Sequence, residues 1–388
     1  MLKLDKSAWK RVAFGDVVTN RNDYFNRDRD GELPYVAGPH INPGGVSIER
    51  YGSTQDDDFP PTFKRLFAAG DVLLHTRGIE KIAVADRAGV TGEKLFVLRS
   101  SDPQVLDQRF LPWLLRSPSV ARYLKNNFSG SVNKFLNWKP LAAMDFGLPP
   151  LDEQKRVADL LWAMEAHRRS LIRSIGAVRI VEARALDGAV GSDWPIKTVS
   201  DLGDVQLGQQ LHPKYRSGPK MRKYLRVANV YDDQLDLRDV AEMDFSDRGA
   251  EKFRLETGDI LLNEGQSIEL VGRCAMYRGE IEDCYIQKTL LRFRSGPEIL
   301  PDFALAWFRR CFLVGAFSAL AKRTTSMAHL TAVRFAAMPM PCPSIEEQRR
   351  VVASTSTLKQ ARGALEGECF HLAALRAAVS VETFGELR

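Results

Sequence analysis

The chain has 388 residues, of which 44% are hydrophobic and 27% are charged, and its formal net charge is +6. This composition is typical of a globular protein with two ordinary-sized domains, and it excludes a largely disordered chain. No stretch approaches the ~18 apolar residues of a membrane span, and residues 1–10 lack the apolar core of a secretory signal, so we expect a cytoplasmic protein with no membrane partner.

Residues 1–150 are predicted to form a first globular domain of short strands and helices. Gly70 and Asp71 precede the apolar run 72–74, a pattern that favours a turn followed by a buried strand. We therefore expect the aspartate to be a turn residue rather than a catalytic acid. The apolar spacing within residues 110–127 indicates one or two short helices.

A long helix is predicted at residues 151–190, and a second copy of it at 345–388. The run Leu-Asp-Glu-Gln-Lys-Arg-Val at 151–157 returns as Ile-Glu-Glu-Gln-Arg-Arg-Val at 345–351, a shift of 194 residues. Apolar residues then recur at every seventh position of both copies. These seam positions are Val157, Met164, Leu171, Val178, Ala185, Val351, Leu358, Leu365, Leu372 and Val379.

Sevenfold apolar spacing over more than four heptads is typical of a helix that packs along its length against another helix. The two copies are therefore expected to pair as an antiparallel coiled coil. His167 lies three residues after Met164, at the second (d) position of the heptad that faces the partner helix, where a polar side chain more often fixes the register than binds a metal. About 37 residues at 1.5 Å each give a helix of ~55 Å, long enough to act as a spacer between two globular domains.

Residues 191–344 are predicted to form a second domain that repeats the first. Gly203-Asp204-Val205 corresponds to Gly15-Asp16-Val17, and Gly258-Asp259 before an apolar run corresponds to Gly70-Asp71. The predicted fold class is α+β, with two globular α/β domains separated by two long antiparallel coiled-coil helices in an internal pseudo-twofold repeat.

No enzyme signature occurs in the sequence, so we expect no catalytic residue. The chain lacks G-x-x-x-x-G-K-[ST], G-x-S-x-G and the Asn/Asp-Pro-Pro-aromatic tetrapeptide of adenine methyltransferases. The five cysteines show no C-x-x-C or Cys/His ligand spacing, so we expect no metal site. A nuclease with its own active site would need clustered carboxylates, which the sequence does not contain.

Polar loops present in both halves carry the functional signal. Between residues 209 and 226 six cations occur with no acidic residue, as suits a phosphate backbone, and Arg and Asn in loop 21–29 suit base edges. A solvated loop remains an alternative for each. The basic residues of the long helices favour a solvated face, although they could instead border DNA or dock a partner; they are Lys155, Arg156, Arg168, Arg169, Arg173, Arg349, Arg350, Lys359 and Arg362. The candidate DNA-binding residues are Arg21, Asn22, Tyr24, Asn26, Arg27, His75, Thr76, Arg77, Lys81, Ser129, Ser131, Asn133, Lys134, Lys214, Tyr215, Arg216, Lys220, Arg222, Lys223, Arg226, Asn263, Gln266, Lys322, Arg323, Thr324, Thr325 and His329.

The order of domain, long helix, domain and long helix resembles the DNA specificity subunit of type I restriction-modification systems. The resemblance covers essentially the whole chain. Its motifs are the helix entries Leu-Pro-Pro-Leu-Asp-Glu-Gln at 148–154 and Pro-Cys-Pro-Ser-Ile-Glu-Glu-Gln at 341–348, with the repeated Gly-Asp-Val/Ile-Leu-Leu strands. The second entry departs slightly from the first, at Cys342 and Ser344.

The resemblance implies a non-catalytic protein with two target recognition domains, each reading one half of a split sequence in double-stranded DNA. The paired helices would set the spacer between the halves. Modification subunits, two in most complexes of the family, would dock on the helices and bring S-adenosylmethionine, base flipping and adenine N6 methylation, so no cofactor is expected on this chain. A translocating restriction subunit is a further expected partner. The alternative is a non-catalytic coiled-coil interaction scaffold that is not dedicated to DNA methylation.

Overall fold

The computed structural model describes residues 4–48, 50–191, 193–323 and 327–385. The chain divides into two compact units: the first unit is Met1–Ile172 with Gly367–Arg388, and the second unit is Arg173–Glu366. Each unit contains one globular domain and a section of both long helices.

The first unit is built from short strands and short helices. Its strands are β1 (Lys10–Ala13), β2 (Val18–Asn20), β3 (Pro34–Val36), β4 (Gly52–Ser53), β5 (Arg65–Phe67), β6 (Val72–His75), β7 (Ile82–Val84), β8 (Gly89–Thr91), β9 (Leu95–Ser100) and β10 (Asp145–Leu148). Its helices are α1 (Phe14–Val17), α2 (Arg27–Asp30), α3 (Leu111–Leu115), α4 (Pro118–Asn126), α5 (Trp138–Ala142) and the start of the long helix α6 (Leu151–Ala189).

Two four-stranded sheets, β2-β9-β6-β7 and β4-β3-β8-β5, form the domain, and β1 pairs with β10. The apolar run predicted to be a buried strand is β6, which pairs antiparallel with β9. Gly70 has φ of +86°, a turn conformation that favours glycine. Asp71 is fully buried and accepts hydrogen bonds from Ala68 N at 2.7 Å and Arg99 Nε at 2.6 Å. It is a turn residue, as predicted.

The second unit repeats this construction. Its strands are β11 (Ile196–Thr198), β12 (Gly203–Leu207), β13 (Met221–Leu225), β14 (Val230–Tyr231), β15 (Gln234–Leu235), β16 (Ala241–Asp244), β17 (Ile260–Asn263), β18 (Gly265–Gln266), β19 (Cys274–Met276), β20 (Tyr285–Ile286), β21 (Leu290–Ser295), β22 (Lys322–Arg323), β23 (Ala328–His329) and β24 (Pro339–Pro341). Its helices are α7 (Val199–Leu202), α8 (Asp247–Phe253), α9 (Pro301–Leu313), α10 (Ala316–Leu320), α11 (Ala332–Ala336) and the long helix α12 (Ile345–Phe384).

The sheets of the two units correspond in strand order. The sheet β12-β21-β17-β19 matches β2-β9-β6-β7, and β16-β13-β20 matches β4-β3-β8. In both units the second of these sheets has one antiparallel and one parallel pairing around its middle strand. The predicted internal repeat is therefore visible in the strand pairing as well as in the sequence.

The glutamine that recurs in both helix entries forms the same buried hydrogen bonds in the two units. Gln154 and Gln348 are fully buried. Gln154 Nε2 donates to Pro149 O at 2.8 Å, and Gln348 Nε2 donates to Pro343 O at 2.9 Å. Each side chain also accepts a hydrogen bond from a backbone N–H of its own globular domain, at 2.9 Å and 2.7 Å respectively. The entry motif thus ties the first turn of each long helix to the domain that precedes it.

The long helices run antiparallel to each other in both units. In the first unit Arg376 Nη1 lies 3.0 Å from Glu165 Oε2, and His167 Nε2 lies 2.7 Å from Glu368 Oε1. Residue numbers thus rise along one helix as they fall along the other. The second unit has the same order, since Arg179 contacts Glu366 and the later Glu182 contacts the earlier Arg362.

The seam positions are buried to different extents in the two units. In the first unit Val157, Met164, Leu171 and Val379 are buried, and Leu372 is partly buried against the same core. In the second unit one seam residue, Val351, is buried, at 5% exposed. The other four are partly buried: Val178, Ala185, Leu358 and Leu365. The predicted fold class, with two α/β domains and two long antiparallel helices in an internal repeat, is confirmed.

Among the described residues, no helix combines the length and the apolar character that crossing a membrane would require.

Candidate nucleic-acid interface

Each globular domain has a small hairpin beside the end of an equivalent strand, β6 in the first unit and β17 in the second. In the first unit the hairpin is formed by residues 129–135, closed by hydrogen bonds of 2.8 and 2.9 Å between Ser129 and Phe135. We call this the first hairpin. Leu136 N, directly after it, donates to Thr76 O at 2.8 Å, which fixes the hairpin beside the end of β6.

The second unit has the equivalent hairpin, formed by β22 and β23. We call this the second hairpin. Leu330 N, directly after it, donates to Glu264 O at 2.8 Å, next to the end of β17. Leu330 lies 194 residues after Leu136, so the backbone attachment has been preserved by the repeat. The hairpin residues themselves differ completely between the two copies.

Four predicted residues lie on the first hairpin, and two lie beside it. Ser131, Asn133 and Lys134 are exposed, and Ser129 is half-buried because its hydroxyl accepts a hydrogen bond from Asn137 Nδ2 at 3.0 Å. The two neighbours are Thr76, which is buried, and Arg77, which is exposed. The structure thus brings together residues that are about 55 positions apart in the sequence.

A groove of about 310 Å³ lies along the first hairpin. Phe96 and Trp138 contribute to its floor, with ring centroids 6.0 Å apart in an edge-to-face arrangement. The exposed side chains of Arg77, Glu93 and Lys94 line its rim. An aromatic floor with a charged rim provides stacking surfaces and hydrogen-bonding groups, both of which proteins use to contact nucleic acid.

His75 and Lys81 have local structural partners. Burial lowers the pKa of His75, and the nearby charge of Lys81 adds to this effect, so the ring is neutral at pH 7. Its Nδ1 accepts hydrogen bonds from Arg77 N at 3.2 Å and Gly78 N at 2.9 Å. Lys81 Nζ donates to Gly38 O at 3.0 Å. Lys81 keeps its positive charge and two further N–H donors, whereas the neutral ring of His75 offers no charge to a phosphate.

The predicted loop 21–27 lines a second groove of the first unit, of about 230 Å³. Asn22 and Tyr24 are exposed there, and Lys64 Nζ lies 5.7 Å from the centre of the Tyr24 ring. Arg27 is exposed, whereas Asn26 caps α2 by accepting from Asp28 N at 2.9 Å. Arg21 is half-buried and forms ion pairs with Asp23 and Asp71.

The basic run of the second unit is partly neutralised by aspartates from elsewhere in the chain. Lys220 pairs with Asp247 at 2.5 Å, Arg226 pairs with Asp239 at 2.6 Å, and Arg222 pairs with Asp283. The sequence run contains no acidic residue, so these partners were missed. The side chains of Asp247 and Asp239 are 84% and 83% exposed, and such exposed pairs contribute little to stability and can exchange for a phosphate.

The other predicted members of that run lie at the surface. Lys214, Arg216 and Lys223 are exposed. Tyr215 is half-buried, with Lys214 Nζ 4.7 Å from its ring centre.

The second hairpin also gathers predicted residues. β18, β23 and β22 form one three-stranded sheet, in which Gly265 pairs with His329 and His329 pairs with Lys322. This sheet carries Gln266, Lys322, Arg323 and His329, and Nδ1 of the histidine lies 3.3 Å from Glu264 Oε1. Thr324 and Thr325 lie outside the described residues.

Asn263 requires a correction. Its side chain is fully buried at the end of β17, with Nδ2 3.5 Å from Val230 O, so it cannot reach DNA in this structure. The sequence alone does not show which face of a strand a polar side chain lies on, so the burial of Asn263 could not be predicted.

Two clusters of buried charge join the globular domains to the long helices, and they were not predicted. In the first unit, Glu165 is 1% exposed and accepts from Arg168 Nη2 at 2.6 Å and Arg376 Nη1 at 3.0 Å. Arg116 of the domain lies nearby, and its guanidinium donates to Gly45 O at 2.8 Å. We call these four charged residues the first anchor. Burial lowers the pKa of Arg116 to about 10, and the charge of Arg376 adds to this.

The second anchor consists of Asp232, Asp233, Arg309, Arg362 and Glu182. Four of these residues are 8% exposed or less, and the side chain of the fifth, Asp233, is 4% exposed. Arg309 Nε donates to Asp232 at 2.7 Å, and Arg362 Nη2 donates to Asp233 at 2.6 Å. Arg362 Nε donates to Glu182 at 3.2 Å, across the two long helices. Burial alone would raise the pKa of Asp232, but its hydrogen bond to Arg309 and the surrounding guanidinium charges hold the pKa below its usual range.

The anchors correct the expectation that Arg168 and Arg362 lie on a solvated face. Arg362 is 2% exposed, and the Arg168 side chain is 17% exposed. Arg168, Glu182, Arg362 and Arg376 each lie four residues after a seam position. Residues at that position flank the seam of a coiled coil, and this spacing is the signal that could have identified them.

The described residues contain no group of three or more His, Cys, Asp or Glu side chains placed to hold a metal ion. The arrangement consists of exposed loops and grooves of mixed charge on two repeated domains, joined to long helices by buried ion pairs. Those features define a class of repeat-built, two-domain binding proteins.

Comparison with known proteins adds a family likeness. No protein-family model matches the chain. Over 166 residues, 42% of this chain and 39% of the relative, the sequence is 24% identical to the putative type I restriction enzyme MjaX specificity subunit of Methanocaldococcus jannaschii. The match thus spans about two fifths of that relative's length. The resemblance to type I specificity subunits that the repeated motifs predicted is confirmed.

Solved structures with low similarity were also found. A chain from a type I R-M system, studied for complex assembly and conformational transition, has a TM-score of 0.49 at 19% identity over 99% of both chains. The type I restriction-modification S subunit from M. genitalium has a TM-score of 0.48 at 14% identity, over 99% of this chain and 98% of that one. The HsdS subunit from Thermoanaerobacter tengcongensis has a TM-score of 0.41 at 18% identity over 97% of both chains.

Proposed function

We propose that this chain is the sequence-specific DNA-binding subunit of a type I restriction-modification complex. Each globular domain reads one part of a bipartite target in double-stranded DNA, and the paired long helices set the spacer between the parts. The observation that carries this proposal is the duplicated hairpin. Both domains preserve its backbone attachment, at Thr76 O and Glu264 O, while its exposed side chains differ. Two domains that recognise different DNA sequences require the same backbone structure with different exposed side chains.

We propose that the chain itself performs no chemistry. Modification subunits, two in number, supply S-adenosylmethionine and methylate adenine in the cytoplasm, and a restriction subunit is a further partner. Exposed apolar side chains on the outer surface of α12 support docking of another protein there. Phe370, Leu375 and Val381 are 68%, 52% and 57% exposed, so this helix offers apolar surface to a partner.

The test is to express the chain together with its modification subunit and to map N6-methyladenine in host DNA by single-molecule sequencing. The expected result is methylation at one split motif. Replacing residues 191–344 with those of another type I specificity subunit should change one half of that motif and leave the other half unchanged. Methylation at a continuous motif, or a motif unaffected by the exchange, would instead favour an interaction scaffold.

Duplex binding offers an independent test through its salt dependence. Arg216 and Lys223 are exposed and have the charge to contact phosphates. Changing either to alanine should weaken binding to all sequences alike and reduce the slope of log K against log salt by about one. Arg87 is an exposed cation of the other unit that is not among the candidate DNA-binding residues, and Arg87→Ala is the control that should leave the slope unchanged.

A further inference from the structure

The tip of the first hairpin carries an apolar side chain that nothing in the domain covers. Val132 is 89% exposed, the highest value among the large hydrophobic residues at the described surface. Its neighbours Ser131, Asn133 and Lys134 are exposed and polar. Gly130 has φ of +90°, a conformation that favours glycine and that turns the chain so that the tip projects.

A short loop closed by one backbone bridge, with exposed side chains at its tip, is narrow enough to reach base edges in the major groove of B-DNA, which is about 12 Å wide. Lys134 on the hairpin and Arg77 and Lys94 on the neighbouring groove rim are exposed cations that can contact the phosphates beside that groove. Serine and asparagine at the tip can hydrogen-bond to base edges. Valine can form no hydrogen bond, so its partner in the groove must be apolar.

The major-groove edges of the four base pairs present one apolar group, the C5-methyl of thymine. We propose that Val132 contacts the C5-methyl group of a thymine and thereby specifies a T·A base pair in the half-site read by the first domain. The inference rests on the proposed function, because it requires that the domain binds a specific DNA sequence.

The experiment uses the full chain in complex with its modification subunit. Duplexes carry the methylated motif, and each thymine is replaced in turn by deoxyuridine, which removes only the C5-methyl group. For the wild-type complex we expect the dissociation constant to rise about fourfold at one thymine of one half-site, the cost of losing one buried methyl-sized group. At the other thymines that carry no methyl contact the constant should not change.

The Val132→Ala variant should bind the thymine and the deoxyuridine duplexes equally at that position, because the side chain that distinguishes them has been shortened. The matched control is Val105→Ala. Val105 is 43% exposed on another loop of the same unit, and its variant should discriminate as the wild type does. Both substitutions are at the surface, so neither is expected to impair folding.

Equal discrimination by wild type and Val132→Ala at every thymine would overturn the inference, even though methylation of a split motif would still support the proposed function. Absence of any split motif would refute the proposed function itself, and the inference with it. A third result, loss of discrimination in both variants, would also overturn the inference, because it would place the effect outside the hairpin tip.

Discussion

Removing the charge of Glu165 should destabilise the first unit far more than removing an exposed carboxylate of the same helix. Glu165 is 1% exposed, and its oxygens lie 2.6 Å from Arg168 Nη2 and 3.0 Å from Arg376 Nη1. Glu165→Gln keeps the shape of the side chain but removes the charge that compensates the guanidinium groups around it. Arg116, whose pKa burial already lowers to about 10, lies in the same cluster.

The magnitude follows from the burial of the pair. Breaking a buried ion pair by neutralising one partner typically costs about 3–5 kcal/mol, because the remaining charge keeps its desolvation penalty. The glutamine oxygen can still accept one hydrogen bond, so we expect the lower end, about 3 kcal/mol. For a unit of this size that corresponds to a fall in the unfolding midpoint of about 6–12 °C.

Asp159→Asn is the matched control. Asp159 lies on the same helix and pairs with Arg109 at 2.7 Å, but its side chain is 64% exposed. Exposed pairs contribute about 1 kcal/mol or less, so this variant should melt within a few degrees of wild type. Hydrogen exchange should show that protection is lost in the first unit of the Glu165→Gln variant. If the two variants were equally stable, the reasoning from burial would be refuted.

Three further substitutions test other parts of the structure by equilibrium unfolding. The pKa of Asp232 is lower in the folded protein than its value of 3.8 in the unfolded chain. The ionised carboxylate, held by Arg309, therefore stabilises the second unit at any pH above 3.8, and this stabilisation is lost as the pH falls through the lowered pKa. Asp232→Asn should therefore lower stability at pH 7 and make it less dependent on pH below about 4; an unchanged acid dependence would contradict this. Leu171→Ala, at a seam position 4% exposed, should cost about 2–5 kcal/mol, whereas Ile172→Ala, 47% exposed, should cost less than about 1 kcal/mol. Gly272→Ala should be destabilising, since its φ is +79° and the new methyl would collide with a buried ring; wild-type stability in this variant would show that the turn can relax.

The repeated features of the fold could be predicted from the sequence because they recur with a fixed spacing. The shift of 194 residues, the sevenfold seam and the Gly-Asp turns each reflect a local requirement: a helix start, a helix contact or a positive φ. These requirements depend on residues close together in the chain. Strand order does not, and the parallel pairing of β3 with β8 has no counterpart in any local pattern.

The candidate interface was predictable only in part, for the same reason. The loops were recognisable by their polar composition, but composition does not reveal partners that are distant in sequence. Arg222 was expected to be uncompensated, and Asp283, 61 positions away, pairs with it. Asn263 was placed at a strand end where the sequence cannot show which face is buried.

The two anchors lie at equivalent places in the two units, but the groups that accept hydrogen bonds from arginine differ. In the first unit the turn that packs near the helices offers backbone carbonyls, Pro43 O and Gly45 O, to Arg116. In the second unit the corresponding turn offers the carboxylates of Asp232 and Asp233 to arginines. A carbonyl and a carboxylate can accept from the same guanidinium geometry, so the place of attachment persists without any matching residue. The hairpins are likewise placed by backbone hydrogen bonds, from Leu136 N to Thr76 O and from Leu330 N to Glu264 O, and β18 also pairs with the second hairpin. Backbone acceptors impose no side-chain identity, so the hairpin sequences can differ between the two domains.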